Sequence, residues 1–210
     1  METKWAIENL QTIRTLMERS ALYRRALAPI MIFAGMLGIA AGLTGWFCRI
    51  ESNRRFVCLW LVTAVVSLAG ALLLMRRQAL KDSEPFWSPP ARRVCQALSP
   101  AFFVGLVTAG LIFVFSPGPG NQEFQAPLII FWVWLYGCAV HAAGFFMPRG
   151  VRWFGWIFIL VGSVFLIILG LGEHWLEGVP PDLLMGGIFG GLHLAYGVYL
   201  HFTEQKTPAA

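Results

Sequence analysis

Residues Asp182 to Phe202, DLLMGGIFGGLHLAYGVYLHF, decide how the rest of the chain is interpreted. This apolar run is long enough for a helix that crosses the hydrocarbon core of a bilayer, which takes about 20 residues. On a wheel of about 100° per residue, Gly190, His193 and Gly197 fall within about 40° of Gly186. A stripe without side chains lets another backbone approach closely. We therefore expect this face, with His193 on it, to meet a partner helix or a bound molecule.

The composition points to a protein that lies in a lipid bilayer. The 210 residues are 57% hydrophobic and 13% charged, whereas soluble domains carry about 25% charged residues. Nine Trp and seventeen Phe suit side chains that sit at the membrane interface. The net charge of +5 comes from residues between the apolar runs, where they would orient spans, so it does not indicate nucleic-acid binding. The first apolar run follows about 28 polar-rich residues without a small-residue cleavage site, so no cleavable signal peptide is expected.

Six apolar runs predict an all-α integral membrane protein with six transmembrane helices. The transmembrane domain is expected over residues 29–203, after a segment at 1–28 and before a tail at 204–210. Its spans are expected at about 29–48, 56–75, 100–115, 127–147, 151–172 and 183–202. Backbone groups in lipid must bond internally, so each span is predicted to be a helix rather than a strand.

The segment before the first span predicts a helix outside the hydrocarbon. Within residues 3–26, Leu10, Ile13 and Met17 share one face, and charged residues lie elsewhere. A basic amphipathic helix of this kind lies on an anionic membrane surface. Docking onto the protein's own loops and contact with a separate partner are the alternatives.

The longest loop, residues 76–98, is the second expected contact surface for a membrane or cytoplasmic partner. Its centre at 85–90, PFWSPP, cannot form a regular helix because of its prolines. Basic residues flank this centre on both sides, which makes the loop strongly positive.

The positions of Lys and Arg predict the orientation. With the N-terminus in the cytoplasm, all but three of the 16 lysines and arginines lie on the cytoplasmic side. The exceptions are Arg49, Arg54 and Arg55 in the first loop. Both termini are therefore expected in the cytoplasm, and the compact chain with short loops suggests a bacterial cytoplasmic (inner) membrane.

Two histidines inside spans are the candidate functional residues. In the fourth span Gly137, His141 and Gly144 share a face, with Cys138 beside it, as His193 lies among glycines in the sixth. Ionisable residues inside a membrane are candidates for function. His141 and His193 fit three roles: hydrogen bonds that hold helices together, axial ligands of a b-type haem or another metal, or a proton or ligand pathway.

Glycines at spacings of three and four residues predict where helices pack closely. The glycines expected at such contacts are Gly35, Gly38, Gly42, Gly45, Gly137, Gly144, Gly186, Gly190 and Gly197.

Two further groups of residues are candidate sites. Glu173, Glu177 and Asp182 gather carboxylates near the start of the sixth span, but no dedicated metal-binding spacing is present, so a solvated external loop is favoured over a zinc or calcium site. Cys48 and Cys58 flank the first external loop. Free thiols are favoured there, with a disulfide as the alternative.

No enzyme motif is recognisable. The sequence has no Ser-His-Asp order, no nucleotide-binding loop and no pair of intramembrane carboxylates. A non-enzymatic subunit, scaffold or regulator of a membrane complex is therefore the favoured function. A haem- or metal-binding membrane protein that uses His141 and His193 is the first alternative, and a small transporter or channel with a pathway along the sixth span is the second.

Overall fold

The structure, a computed structural model, describes residues 26–83, 85–116, 123–171 and 178–204. No strand occurs in these ranges, and six helices are long and apolar enough to cross a membrane. These are α1 (Ala26–Phe47), α2 (Asn53–Lys81), α3 (Pro89–Phe115), α4 (Gln125–Phe146), α5 (Arg149–Gly170) and α6 (Pro181–Thr203). The predicted all-helical, six-span architecture is confirmed at this level.

The chain passes back and forth between two ends of the bundle. The Asp182 end holds the last residues of α1, α3 and α5 and the first residues of α2, α4 and α6. The opposite end, which holds the join between α2 and α3, is called the Lys81 end.

The first described helix, α1, lies where the first span is expected, at about 29–48. The amphipathic helix predicted for residues 3–26 lies outside the described residues, except for Ala26. Ala26 begins α1, which is apolar, and 44% of its most apolar window is buried inside the protein. The first helix that the structure describes is therefore a candidate span.

The second and third helices are longer than the sequence predicts. The predicted loop at 76–98 is mostly helical, because α2 continues to Lys81 and α3 begins at Pro89. Proline is well suited to the first turn of a helix, and Pro100 is accommodated inside α3. With 29 residues in α2 and 27 in α3, the two helices are about 44 and 40 Å long. Both exceed the hydrocarbon core of about 30 Å, so they have the length to project beyond it.

Helices α1 and α6 lie backbone against backbone. A Cβ atom added to Gly38 would lie 2.8 Å from Cα of Gly190, and one added to Gly42 would lie 2.9 Å from Cα of Gly186. One turn before Gly38, a Cβ on Gly35 would overlap the backbone of Leu194. Apolar side chains gain little from leaving lipid for a helix interface, so close packing of this kind holds membrane helices together.

A π-helical segment at Gly186–Gly191 changes the register of α6. A π turn contains more residues than an α turn, so residues beyond it are rotated relative to a regular wheel. As a result α1 meets Leu194 after Gly190, and it meets Gly197 at Ile32. The expectation that His193 lies in the middle of the glycine contact is therefore wrong: the helix is not regular there, and His193 faces α4 and α5.

Helices α4 and α5 form a second close pair. A Cβ on Gly137 would lie 2.9 Å from the carbonyl oxygen of Gly155, and one on Gly155 would lie 2.6 Å from the backbone nitrogen of His141. Gly144 packs against Arg152, whose backbone nitrogen would lie 2.9 Å from an added Cβ. Glycine thus brings both helix pairs into backbone contact.

The apolar core is shared unequally among the helices. Phe154 and Phe158 of α5 and Phe56 of α2 are buried almost completely. By contrast, only 11% of the apolar window of α2 and 6% of that of α3 are buried, against 50% for α4. The α2–α3 hairpin is therefore peripheral, with most of its surface outside the bundle.

We predict that adding one methyl group to α6 has opposite consequences at two adjacent glycines. In Gly190→Ala the new Cβ would lie 2.5 Å from the backbone nitrogen of Ile39, and such overpacking costs about 1–3 kcal/mol. In Gly191→Ala the Cβ meets nothing within 4 Å, and alanine favours a helix by up to about 1 kcal/mol. Thermal unfolding in detergent should show a lower Tm for the first variant only. Equal changes would contradict the α1–α6 contact.

Candidate functional site: the Tyr136–His193 pair

His193 is a buried histidine with a hydrogen-bond partner at each ring nitrogen. Only 6% of its surface is exposed. Its Nε2 lies 2.5 Å from the hydroxyl oxygen of Tyr136 on α4. Its Nδ1 lies 2.6 Å from the carbonyl oxygen of Phe189, one turn earlier on α6. Both ring nitrogens are therefore engaged by protein atoms.

These partners assign the protons of the ring. A carbonyl oxygen only accepts, so Nδ1 of His193 carries a hydrogen and donates it to Phe189. In the neutral ring Nε2 then accepts from the hydroxyl of Tyr136, an assignment made from the network of partners. The result is a hydrogen bond between α4 and α6, a type worth about 0.6 kcal/mol on average in membrane proteins.

Aromatic rings enclose this pair. The imidazole of His193 lies 5.1 Å from the ring of Phe154 at 87° and 5.6 Å from that of Phe158 at 66°, centroid to centroid. The ring of Phe189 stacks over it at 6.4 Å and 12°. Edge-to-face contacts of this kind add to the packing energy. The rings fill the space around the imidazole and shield the hydrogen bond from competing polar groups.

His141 lies in a different environment. Its Nδ1 is 3.4 Å from the carbonyl oxygen of Arg152 on α5. Its ring packs edge-on against Phe145 and Trp156, each at 5.5 Å. None of these is a ring neighbour of His193. Two axial haem ligands must point at one iron, and the structure instead joins His193 to Tyr136.

The cysteines and His201 are the remaining candidate residues from the sequence. Cys138 is an exposed free thiol, as are Cys48 and Cys58. His201 is exposed near the Lys81 end. Within the described part of the chain, no three or more His, Cys, Asp or Glu side chains group in a way that would hold a metal. Residues 172–177, which include two of the predicted loop carboxylates, lie outside the described residues.

Asp182 is placed differently from the expectation of a solvated loop. Only 3% of its surface is exposed, and its Oδ1 accepts a hydrogen bond of 3.2 Å from the indole Nε1 of Trp60. A Cβ on Gly45 would overlap its carboxyl group. The sequence carried a signal for this burial: Asp182 precedes Gly186 by four residues, so it continues the stripe that packs on α1.

Tyr136 and Trp60, which bond His193 and Asp182, were not singled out from the sequence. Both lie in apolar runs, where aromatic residues are abundant and predict interfacial or core positions. Tyr136 is, however, next to Gly137 and carries a hydroxyl that needs a partner in lipid. That requirement was the available signal.

Comparison with models of protein families, with curated proteins and with solved structures finds no match for this chain. The fold and the site therefore define the class by themselves. The described residues form only helices, six of which are long and apolar enough to span a membrane, as in a multi-pass membrane protein. Two pairs of its helices are in contact through glycine, and one buried tyrosine–histidine hydrogen bond joins α4 to α6.

We predict that removing the hydroxyl of Tyr136 destabilises the protein, whereas removing the hydroxyl of an exposed tyrosine does not. Tyr136→Phe deletes the donor to His193 and should lower stability by about 0.5–1.7 kcal/mol. Tyr199→Phe, at a tyrosine that is 60% exposed, is the matched control and should change nothing measurable. A double-mutant cycle with His193→Leu, followed by thermal unfolding, isolates the pair. Additive losses would mean that the two side chains do not interact.

Proposed function

We propose that the chain is a non-enzymatic subunit of a membrane complex, with its partner bound along the α2–α3 hairpin. The observation that carries this proposal is the unequal burial of the helices. In the apolar windows of α2 and α3, 11% and 6% are buried, against 44% and 50% in α1 and α4. Helices α2 and α3 are thus the most exposed of the six candidate spans, although α2 packs into the core through Phe56 and Trp60.

The interior of the bundle supports assembly over transport. Backbones meet directly between α1 and α6 and between α4 and α5. Between α4, α5 and α6 the space is occupied by aromatic rings, and the polar groups of Tyr136 and His193 bond each other. A transport pathway needs polar groups that face a water-filled route. The polar groups at mid-depth here are used for packing.

The hairpin also carries a positive end, which we call the basic tip. Its exposed cations are Arg76, Arg77, Lys81, Arg92 and Arg93. Two apolar side chains lie among them, with Leu80 72% exposed and Trp87 55% exposed. Cations around exposed apolar residues suit an acidic segment of a partner protein that also offers an apolar contact.

We place the basic tip in the cytoplasm and the chain in a cytoplasmic membrane, with both termini on the cytoplasmic side. The support is the excess of Lys and Arg at the Lys81 end, since such residues are enriched in cytoplasmic loops. In this orientation the α2–α3 hairpin, at about 40 Å or longer, extends past the hydrocarbon into the cytoplasm.

The orientation predicts which cysteines an impermeant reagent reaches. A variant that keeps only Cys48, exposed at the Asp182 end, should react with a membrane-impermeant maleimide on intact cells. A variant that keeps only Cys95, near the basic tip, should react only after the membrane is permeabilised. Gel-shift labelling measures both. The reverse pattern would place the basic tip outside.

The partner site predicts that charge reversal at the basic tip disrupts assembly. In Arg76→Glu/Arg77→Glu, two arginines that would attract an acidic segment of the partner are replaced by glutamates that would repel it. At up to about 1 kcal/mol for each exposed pair, assembly should weaken by roughly ten-fold. Native electrophoresis after chemical cross-linking in native membranes would measure the assembled fraction.

Arg49→Glu/Arg55→Glu is the matched control, because it reverses two exposed arginines at the Asp182 end. It should leave the assembled fraction unchanged. Cysteine labelling of both variants checks that the altered charges have not inverted the topology. A chain that is monomeric in native membranes, or equal losses in the two variants, would contradict the proposed function.

A further inference from the structure

The Asp182 end of the bundle contains a layer of buried polar side chains. Exposed fractions are 2% for Asn53, 4% for Ser116, 1% for Gln125 and 3% for Asp182. These residues lie at the start of α2, the end of α3, the start of α4 and the start of α6. Among the largest fully buried side chains of the described residues, the two polar ones, Gln125 and Asn53, both belong to this layer.

Asp182 places a carboxylate where charge is costly. It accepts one hydrogen bond, from Trp60, and no lysine or arginine of the described residues pairs with it. A carboxylate has room for about four hydrogen bonds or ligands. A buried charge is retained when it is paired or coordinates a cation, and an acid inside a membrane protein is a functional candidate for that reason.

Gln125 adds an unsatisfied amide to the same layer. Both its Oε1 and its Nε2 are buried without a hydrogen-bond partner. Buried side-chain amides in native proteins are almost always bonded, and an exception points to a bound water or ion. Gln125 therefore has an oxygen ready to coordinate and an N–H group ready to donate.

The register of α4 and α6 brings Gln125 and Asp182 to the same end of the bundle. Gln125 precedes Tyr136 by eleven residues, and Asp182 precedes His193 by eleven residues. Both helices start at the Asp182 end, and Tyr136 is hydrogen-bonded to His193. Gln125 therefore lies about 16 Å along α4 from that bond, and Asp182, beyond the π-helical segment Gly186–Gly191, lies toward the same end of α6.

The faces of the helices agree with this placement. On a wheel of about 100° per residue, Gln125 lies within about 20° of Tyr136, so it points from the side of α4 that meets α6. The first turn of α6, Pro181–Met185, contacts α4 directly. Gln125 thus lies on the side of α4 that faces the first turn of α6, where the carboxyl group of Asp182 lies beside Gly45 and Trp60.

We propose that Asp182 and Gln125 bind a small monovalent cation of the sodium type at this end of the bundle. The carboxylate and the amide Oε1 are the hard oxygen ligands that such ions prefer, and one positive charge neutralises the single carboxylate. A divalent ion would need more acids, and no cluster of three candidate ligands occurs in the described residues. A water that completes the ion's shell accepts from Nε2 of Gln125.

The test is the thermal stability of the purified full chain in detergent, in NaCl, KCl or choline chloride at equal ionic strength. Binding to the folded state should raise Tm by about 5 °C at saturating sodium or potassium relative to choline. Asp182→Asn should abolish this rise. Gln125→Leu should shift the midpoint of the cation titration roughly ten-fold upward, the loss expected for about 1.4 kcal/mol.

Matched controls lie at the opposite end of the bundle. Asp82→Asn and Gln96→Leu make the same chemical changes at the Lys81 end and should keep the full cation response. A Tm that is equal in all three salts, or a rise that persists in Asp182→Asn, would overturn the proposal.

Gln125→Leu decides the question if Asp182→Asn does not fold. At a bound-cation site this variant weakens the cation response. At an empty site it removes an unsatisfied buried amide and raises Tm equally in every salt, which would overturn the proposal. These outcomes do not depend on any partner protein, so they are separate from the test of the proposed function.

Discussion

The structure depends on backbone contact between the first and last helices. In hydrocarbon, apolar side chains gain almost nothing by leaving lipid for one another, so helices associate by how closely they fit. Gly38 and Gly42 of α1 meet Gly186 and Gly190 of α6 with no side chain between them. This contact closes the bundle around α4 and α5, and it fixes the rotation of α6. The positions of Asp182 and His193 both follow from that rotation.

The polar side chains are arranged by depth. At mid-depth the hydroxyl of Tyr136 and the imidazole of His193 bond each other inside a shell of aromatic rings. These polar groups are therefore used for packing. At the Asp182 end a carboxylate and an amide are buried with bonding capacity to spare. Helices α4 and α6 thus carry a bonded tyrosine–histidine pair at one level, and near the Asp182 end α4 carries a buried amide without a partner. About three turns of α4 separate Tyr136 from Gln125.

Much of the fold follows from the sequence by simple arithmetic of length and spacing. Run lengths predict six spans, because about 20 residues cross the hydrocarbon, and the glycine spacing marks residues that make the two backbone contacts. The wheel fails at His193, because a π turn at Gly186–Gly191 has no signature in hydropathy. The extent of α2 and α3 is also missed, because charged residues that end an apolar run do not end a helix. The sequence does not predict the roles of Tyr136, Trp60 and Gln125. Whether such a polar group is hydrogen-bonded depends on a residue of another helix, and the sequence pattern of one helix does not contain that information.

The join between α1 and α6 has a consequence for how the protein is made. Ribosomes deliver α1 to the membrane first and α6 last, with four helices in between. Until α6 arrives, the grooved glycine face of α1 has only lipid beside it, and lipid chains fill such a groove poorly. The contact that fixes α1 against α6 therefore forms only after the other described helices have been made. A nascent chain interrupted before residue 181 would hold every helix except the one that locks the first in place.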